Sequence, residues 1–155
     1  LDLREIVDAA VNATSQLFKA KNVHLDVAVP TAAAPVAADR DRLMQVMLNL
    51  LSNSIKFCEP GQGRVAVTVS QDAESVRVDV RDNGVGIAKS DQMVIFEKFR
   101  QVGDTLTEKP PGTGLGLAIC RQIIGHFGGH LWVESELAKG ATFSFTLPVT
   151  SAAAD

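Results

Sequence analysis

Leu3, Ile6, Val7, Ala10, Val11, Thr14, Leu17 and Phe18 recur at three- and four-residue intervals, the spacing of one helix face, and predict an amphipathic helix over residues 3–20. Val23, Leu25, Val27 and Val29 then alternate up to Pro30, as in a strand. After the uninformative TAAAPVAAD, Asp39 or Asp41 is placed to cap a second helix, from about Asp41 to Cys58, and Glu59-Pro60-Gly61 stops it. Val65, Val67 and Val69 mark one strand and residues 75–82 its hairpin partner, joined near Gln71-Asp72. From Ala88 to Gly112 the periodicity is lost, and so long a stretch within a compact domain is functional or disordered. A helix from about Gly114 to Phe127, halted by Gly128-Gly129, and strands near 130–135 and 142–147 complete the pattern, with a frayed Ala-rich tail. Helices that follow or precede strand pairs predict an α/β class, a two-layer sandwich with the helices on one face.

One strand breaks its own pattern. In VRVDVRDNGVGI, residues 76–87, the valines at 76, 78 and 80 alternate with Arg77, Asp79 and Arg81, and the same parity puts Asp82 on the valine side. A carboxylate aimed at a core is costly unless something partners it. The turn that follows at once, Asn-Gly-Val-Gly, places Gly84 and Gly86 where backbone can approach a ligand closely.

The second helix carries a further anomaly. At about 100° per residue, Asn49, Asn53 and Lys56 fall within roughly 60° of one another. Leu43, Met47, Leu50, Leu51, Ser54 and Cys58 fall opposite them. Amides in mid-helix cost some tenths of a kcal/mol each relative to Ala. An Asn carbonyl suits one position of a Mg²⁺ ion that keeps waters and phosphate oxygens for the rest, and Lys56 is placed to meet phosphate charge. Taken alone, three residues facing water explain the stripe as well. Residues 112–117, GTGLGL, open the next helix, and a helix N-terminus attracts anions. Neither glycine stretch fits a Walker loop or a dinucleotide fingerprint, and each alone reads as a tight turn.

Composition narrows the classes. At 155 residues the chain is one domain's worth of material, and its charge of −3, with no basic run, excludes an electrostatic nucleic-acid binder. No apolar run approaches a membrane span and no signal peptide opens the chain. Leu1 in place of an initiating Met suggests a piece of a longer protein. Cys58 and Cys120 read as buried small hydrophobes in a reducing, cytoplasmic compartment. His24, His126 and His130 read as structural or surface residues, none of them a phosphoacceptor.

Four motifs in order, N-L-L-S-N with Lys56, D-N-G-V-G-I, I-F-E-K-F and G-T-G-L-G-L, followed by G-A-T-F, carry a specific resemblance. The chain resembles the catalytic ATP-binding domain of bacterial sensor histidine kinases, with their N, G1, F, G2 and G3 boxes, over residues 1–150, leaving 151–155 as a disordered tail. The resemblance implies the Bergerat fold shared with gyrase B, mismatch-repair and heat-shock chaperone ATPases, a mixed sheet with helices on one face and the nucleotide under a mobile lid. It implies that Asp82 accepts a hydrogen bond from the exocyclic amine of adenine, that Gly84 and Gly86 pass close to the base and that Ile87 packs on it. Asn53 would ligate Mg²⁺, Asn49 would assist near the phosphates and Lys56 would contact them, Asn49 and Lys56 being the catalytic candidates. Gly112, Thr113, Gly114, Leu115, Gly116 and Leu117 would form the hinge and the phosphate-facing helix start. Residues 96–111 would be the lid, with Phe96 and Phe99 resembling its anchors and Lys98 and Arg100 as candidates for the γ-phosphate.

Three departures stand out. Gln101 occupies a position where relatives commonly carry Arg, Pro110-Pro111 stiffen the approach to the second glycine box, and Ala141 stands where relatives often carry Ser or Thr beside the adenine-binding Asp. That last role is not transferred to Thr142 by adjacency. The implied activity is binding of Mg²⁺-ATP and donation of the γ-phosphoryl group to a His on a separate helical dimerisation and phosphoacceptor domain, which no segment here resembles. A response regulator receiver domain would lie downstream, and this chain alone is expected to be a monomer. Two alternatives stay open: a non-enzymatic module switched by nucleotide, and an ATP hydrolase of the gyrase kind. The hydrolase needs a Glu general base where this chain has Asn49, and a neutral amide cannot accept a proton from water.

Overall fold

The computed structural model describes residues 1–30, 34–92, 94–96 and 116–150. Helix α1 (Leu3–Lys21) is opened by Asp2, whose carboxylate accepts from the Arg4 N–H at 2.9 Å, and closed by Asn22 in the left-handed conformation at φ 54°. Strand β1 (His24–Ala28) follows. Of the two capping candidates for α2 (Arg40–Phe57), Asp39 holds the position, accepting from the N–H groups of Asp41 and Arg42 at 2.8 and 3.2 Å. Strands β2 (Arg64–Gln71) and β3 (Ser75–Asp82) form the expected hairpin, its turn held by Asp72 accepting from Glu74 and Ser75. The stretch without periodicity contains a one-turn helix α3 (Lys89–Gln92) that no apolar spacing announced. Helix α4 (Gly116–His126) and strands β4 (His130–Ser135) and β5 (Ala141–Pro148) complete the chain. No helix among the described residues is long and apolar enough to cross a membrane.

The strands form one mixed sheet in the order β1-β2-β3-β5-β4, with β1 parallel to β2 and every other pair antiparallel. Register sets which side chains share a face. Val67, Val80, Phe143 and Val133 line up across four strands, as do Val69, Val78, Phe145 and Leu131, and these rows meet the buried faces of α1, α2 and α4 in a single core. The opposite face is polar, with the row Thr68, Asp79, Ser144 and Trp132 at its centre. There Arg77 pairs with Asp79 at 3.0 Å and lies 5.0 Å from the Trp132 ring centroid. The architecture is the two-layer α/β sandwich that the pattern of elements predicts.

Two expectations about burial need correction. The alternation in β1 predicts a half-buried strand, but four of its five residues are exposed, because β1 is the sheet edge and has a neighbour on one side only. Leu17, placed by spacing on the apolar face of α1, is 51% exposed.

Candidate nucleotide site

The site is built where the C-terminal half of α2 meets the end of β3. Register carries the parity of the valines to the end of the strand, so Val65, Asp82, Ala141 and Ser135 form one cross-strand row on the helix-facing side. Asp82 is 2% exposed. Its Oδ1 accepts from the Gly84 N–H at 2.9 Å, while its Oδ2 is buried with no hydrogen-bond partner among the described residues. Burial raises the pKa of this carboxyl above its ordinary 3.8, with the N–H groups of Gly84 and Ala141 pulling the other way. An orphaned carboxylate oxygen on the core side of a sheet is an acceptor awaiting a donor.

The turn after Asp82 is pressed against α2 on one side and the β4–β5 turn on the other. A Cβ on Gly84 would lie 2.3 Å from the Phe57 carbonyl oxygen, which also accepts from the Val85 N–H. Gly86 has φ +75°, and a Cβ there would lie 2.0 Å from the Glu136 carbonyl oxygen. Ile87 is 1% exposed and its N–H donates to Ser135 Oγ at 2.8 Å. Gln92 clamps the same corner, donating to the carbonyls of Ile87 and Ser135 at 2.7 and 2.8 Å.

On α2, Leu43, Met47, Leu50, Leu51, Ser54 and Cys58 are all buried, while Asn49 and Asn53 are half-buried and Lys56 is exposed. The two stripes are therefore separated as the helical wheel predicts. Asn49 donates from Nδ2 to the Gln45 carbonyl at 2.9 Å, and its Oδ1 faces Gly116 at the start of α4, 2.6 Å from where a Cβ would stand. The second helix and the second glycine box are thus in contact through Asn49. Partial desolvation lowers the pKa of Lys56. Its carbonyl and that of Ile55 accept from Lys21 Nζ at 3.1 and 2.7 Å, so a cation from α1 holds the last carbonyls of α2. Among the described residues no group of three or more His, Cys, Asp and Glu could hold a metal ion.

Of the proposed cofactor contacts, Asn49, Asn53, Lys56, Asp82, Gly84, Gly86, Ile87, Gly116 and Leu117 lie within the described residues; Lys98, Phe99, Arg100, Gly112, Thr113, Gly114 and Leu115 lie outside them. Phe96 is half-buried, edge-on to Phe143 at 6.5 Å between centroids, with the Arg121 guanidinium 4.7 Å from its own centroid. Thr142 pairs with Arg81 on the polar face, so it does not supply the hydroxyl that Ala141 lacks. Both cysteines are free and buried, and burial pushes the Cys120 thiol up to about 12. Sequence reading missed Ser135 and Gln92, which brace the Ile87 corner; the role of Ser135 comes from strand register and that of Gln92 from the one-turn helix α3, and neither is encoded by a local pattern.

Comparison with known proteins agrees with this geometry. The family described as histidine kinase-, DNA gyrase B-, and HSP90-like ATPase matches residues 38–151. The chain is 39% identical over 124 residues to the circadian input-output histidine kinase CikA of Synechococcus elongatus, an alignment covering 80% of this chain and 16% of CikA. In structure it resembles the catalytic domain of histidine kinase ThkA, with a TM-score of 0.83, 30% identity and 97% of each chain covered. ThkA has also been solved in complex with the response regulator protein TrrA. Full-length ShkA in complex with AMPPNP is likewise similar, with a TM-score of 0.83 and 31% identity over 97% of this chain and 31% of that one. The chain thus spans a minor part of CikA and of ShkA. With the match running from before the cap of α2 to beyond β5, the chain belongs to the histidine kinase-, DNA gyrase B- and HSP90-like ATPase family, as an ATP-binding catalytic domain of the sensor histidine kinase kind.

Proposed function

We propose that this domain binds Mg²⁺-ATP and, within a longer kinase, donates the γ-phosphoryl group to a histidine on a helical dimerisation and phosphoacceptor domain, the phosphoryl group passing on to a response regulator. The observation that carries the nucleotide reading is the buried, unpartnered Oδ2 of Asp82. The exocyclic amine of adenine is a donor of the right chemistry for it, and a keto oxygen such as that of guanine is not. Residues 1–150 act as one unit, on the cytoplasmic side where ATP is available.

The residues present also fit the metal. Asn53 would hold a Mg²⁺ ion through its neutral carbonyl oxygen, alongside phosphate oxygens of the nucleotide and water, the hard oxygen donors that Mg²⁺ prefers. When bound, the ion supplies charge neutralisation at the phosphates. Lys56 adds a further positive charge at the end of the same stripe. Lys98 or Arg100 would meet the γ-phosphate, with residues 112–117 as further proposed nucleotide contacts. Asn49 favours transfer over hydrolysis, because a neutral amide offers no base to an attacking water.

Calorimetric titration with ATP, with and without Mg²⁺ and with GTP as control, tests the binding step; ATP bound and GTP refused is the expected result. Incubation with the parent's helical domain and labelled ATP then tests transfer, and binding without transfer would favour the switch-module alternative. Asn53→Ala is expected to remove most of the Mg²⁺ dependence of ATP affinity, roughly a tenfold effect for one lost ligand. A variant still fully dependent on Mg²⁺ would contradict the ligand role of Asn53.

A further inference from the structure

Helices α1 and α2 end beside each other. Asn22 closes α1, and the Gly61 N–H, in the stop that follows α2, donates to the Lys21 carbonyl at 3.1 Å. Every helix C-terminus carries unpaired carbonyls and the negative end of the helix dipole, so this corner gathers two of them. The end of α2 lacks the left-handed glycine cap that often serves such carbonyls: Cys58 follows in an extended conformation, its N–H reaching the Ile55 carbonyl at 3.2 Å. The Phe57 carbonyl accepts from the Val85 N–H at 3.3 Å. Lys21 completes the cap from outside, its Nζ donating to the Ile55 carbonyl at 2.7 Å and to the Lys56 carbonyl at 3.1 Å. Among the described residues Lys21 makes no ion pair, so its charge is directed at these carbonyls alone.

A helix C-terminus is an unfavourable neighbour for phosphate. Anions are ordinarily held at helix N-termini, where the dipole is positive. Yet Asn53 and Lys56, proposed to hold Mg²⁺ and to meet phosphate, stand toward the C-terminal end of α2. Lys56 itself is exposed, and its Nζ lies over the Phe57 ring, 5.5 Å from the centroid. A long ammonium side chain loses much rotational freedom when it settles on a ligand, and a backbone that frays beneath it adds to that cost. The backbone carbonyl of Lys56 is one of the two atoms that Lys21 grips. The charge of Lys21 is also felt around it: burial and then the Asp82 carboxylate push the Cys58 thiol up, while Lys21 pulls it down.

We propose that Lys21 is a positioning residue for the nucleotide phosphates: its ammonium caps the carbonyl end of α2 and pins the Lys56 backbone, so that the Lys56 side chain meets phosphate from a fixed last turn. The proposal rests on the reading of Lys56 as a phosphate contact and adds to it the residue, 35 positions earlier in the chain, through which that contact is made effective.

The test is calorimetric titration with Mg²⁺-ATP of the unsubstituted chain, Lys21→Met, Lys56→Met and the double variant. With Lys56 present, Lys21→Met is expected to weaken binding roughly fivefold, the upper range for one exposed charge contact. In the Lys56→Met background the same substitution is expected to change the affinity by less than about twofold, since its effect passes through Lys56. Should Lys21→Met fail to fold, Lys21→Gln, whose amide still donates to a carbonyl, takes its place in the same cycle. Equal weakening with and without Lys56 would overturn the positioning role and leave Lys21 a structural cap. A Lys56→Met variant that binds ATP as tightly as the unsubstituted chain would overturn the phosphate reading of Lys56, and the proposal with it.

Discussion

Asp82→Asn should lose about a hundredfold in ATP affinity and yet, without nucleotide, melt at a higher temperature than the unsubstituted chain at neutral pH. The first effect follows from how the carboxylate is held. Oδ1 is fixed by the Gly84 N–H at 2.9 Å, so an asparagine keeps its oxygen there and turns its NH₂ into the place of the unpartnered Oδ2. A donor then faces the donating amine of adenine. A charge-assisted bond is lost and a mismatch gained, about 3 kcal/mol together. The second effect follows from linkage. Burial raises the folded-state pKa of Asp82 above 3.8, so the stability its protonated form contributes is fully present below 3.8 and is lost as pH rises through the raised value. In its ionised form the group is a buried charge, a cost that the neutral amide escapes. The difference in melting temperature between the two chains should therefore shrink as pH falls toward 3.8. Calorimetry and thermal melts read both quantities on the same samples. Equal ATP affinity in the two chains would mean that adenine does not lie on Asp82.

Gly86→Ala should destabilise the domain by about 3 kcal/mol, or roughly 6–12 °C in melting temperature. At φ +75° the new side chain is strained whatever surrounds it, and its Cβ would stand 2.0 Å from the Glu136 carbonyl oxygen. That carbonyl cannot simply retreat. The Ala138 N–H of the same turn donates to the Val85 carbonyl at 2.7 Å, so displacing Glu136 strains the bond that ties the β4–β5 turn to the residue beside Gly86. Gly125 supplies the control. It lies within α4, and a methyl group added there would meet nothing within 4 Å beyond its own helix backbone, so Gly125→Ala should stabilise by roughly 0.5–1 kcal/mol. The same substitution with opposite signs at two positions separates local geometry from any general effect of adding a methyl group. A Gly86→Ala chain melting within a degree or two of the unsubstituted one would refute the close approach.

The inward turn of Asp82 was legible because a strand alternates with period two and three valines fixed the phase before the carboxylate arrived. The same reasoning was available for β5, where Phe143, Phe145 and Leu147 place Ala141 inward and Thr142 outward. The separation of the Asn49, Asn53 and Lys56 stripe from the core stripe was likewise a matter of period, and capping chemistry narrowed the start of that helix to Asp39 or Asp41, of which the structure uses Asp39. What could not be read is what depends on partners distant in sequence. The parallel pairing of β1 with β2, the insertion of β5 between β3 and β4, and the bracing of Ile87 by Ser135 are all register facts. Ser54 shows the boundary most sharply. Its place on the buried face was evident from spacing, but its lack of a partner emerges only when the carbonyl one turn back is found not to take its proton.

Helix α2 is the connection between the parallel strands β1 and β2, and the corner it shares with Asp82 is finished only by Ala141 and Ser135 of β5 and β4. On a ribosome, then, the amide stripe emerges long before the strands that give it a pocket. Until β5 has cleared the exit tunnel and entered the sheet, Asp82 remains hydrated and its carboxylate costs nothing. The binding corner is thus a late product of synthesis, and a chain interrupted before residue 141 carries every residue of its second helix with no corner for it to complete.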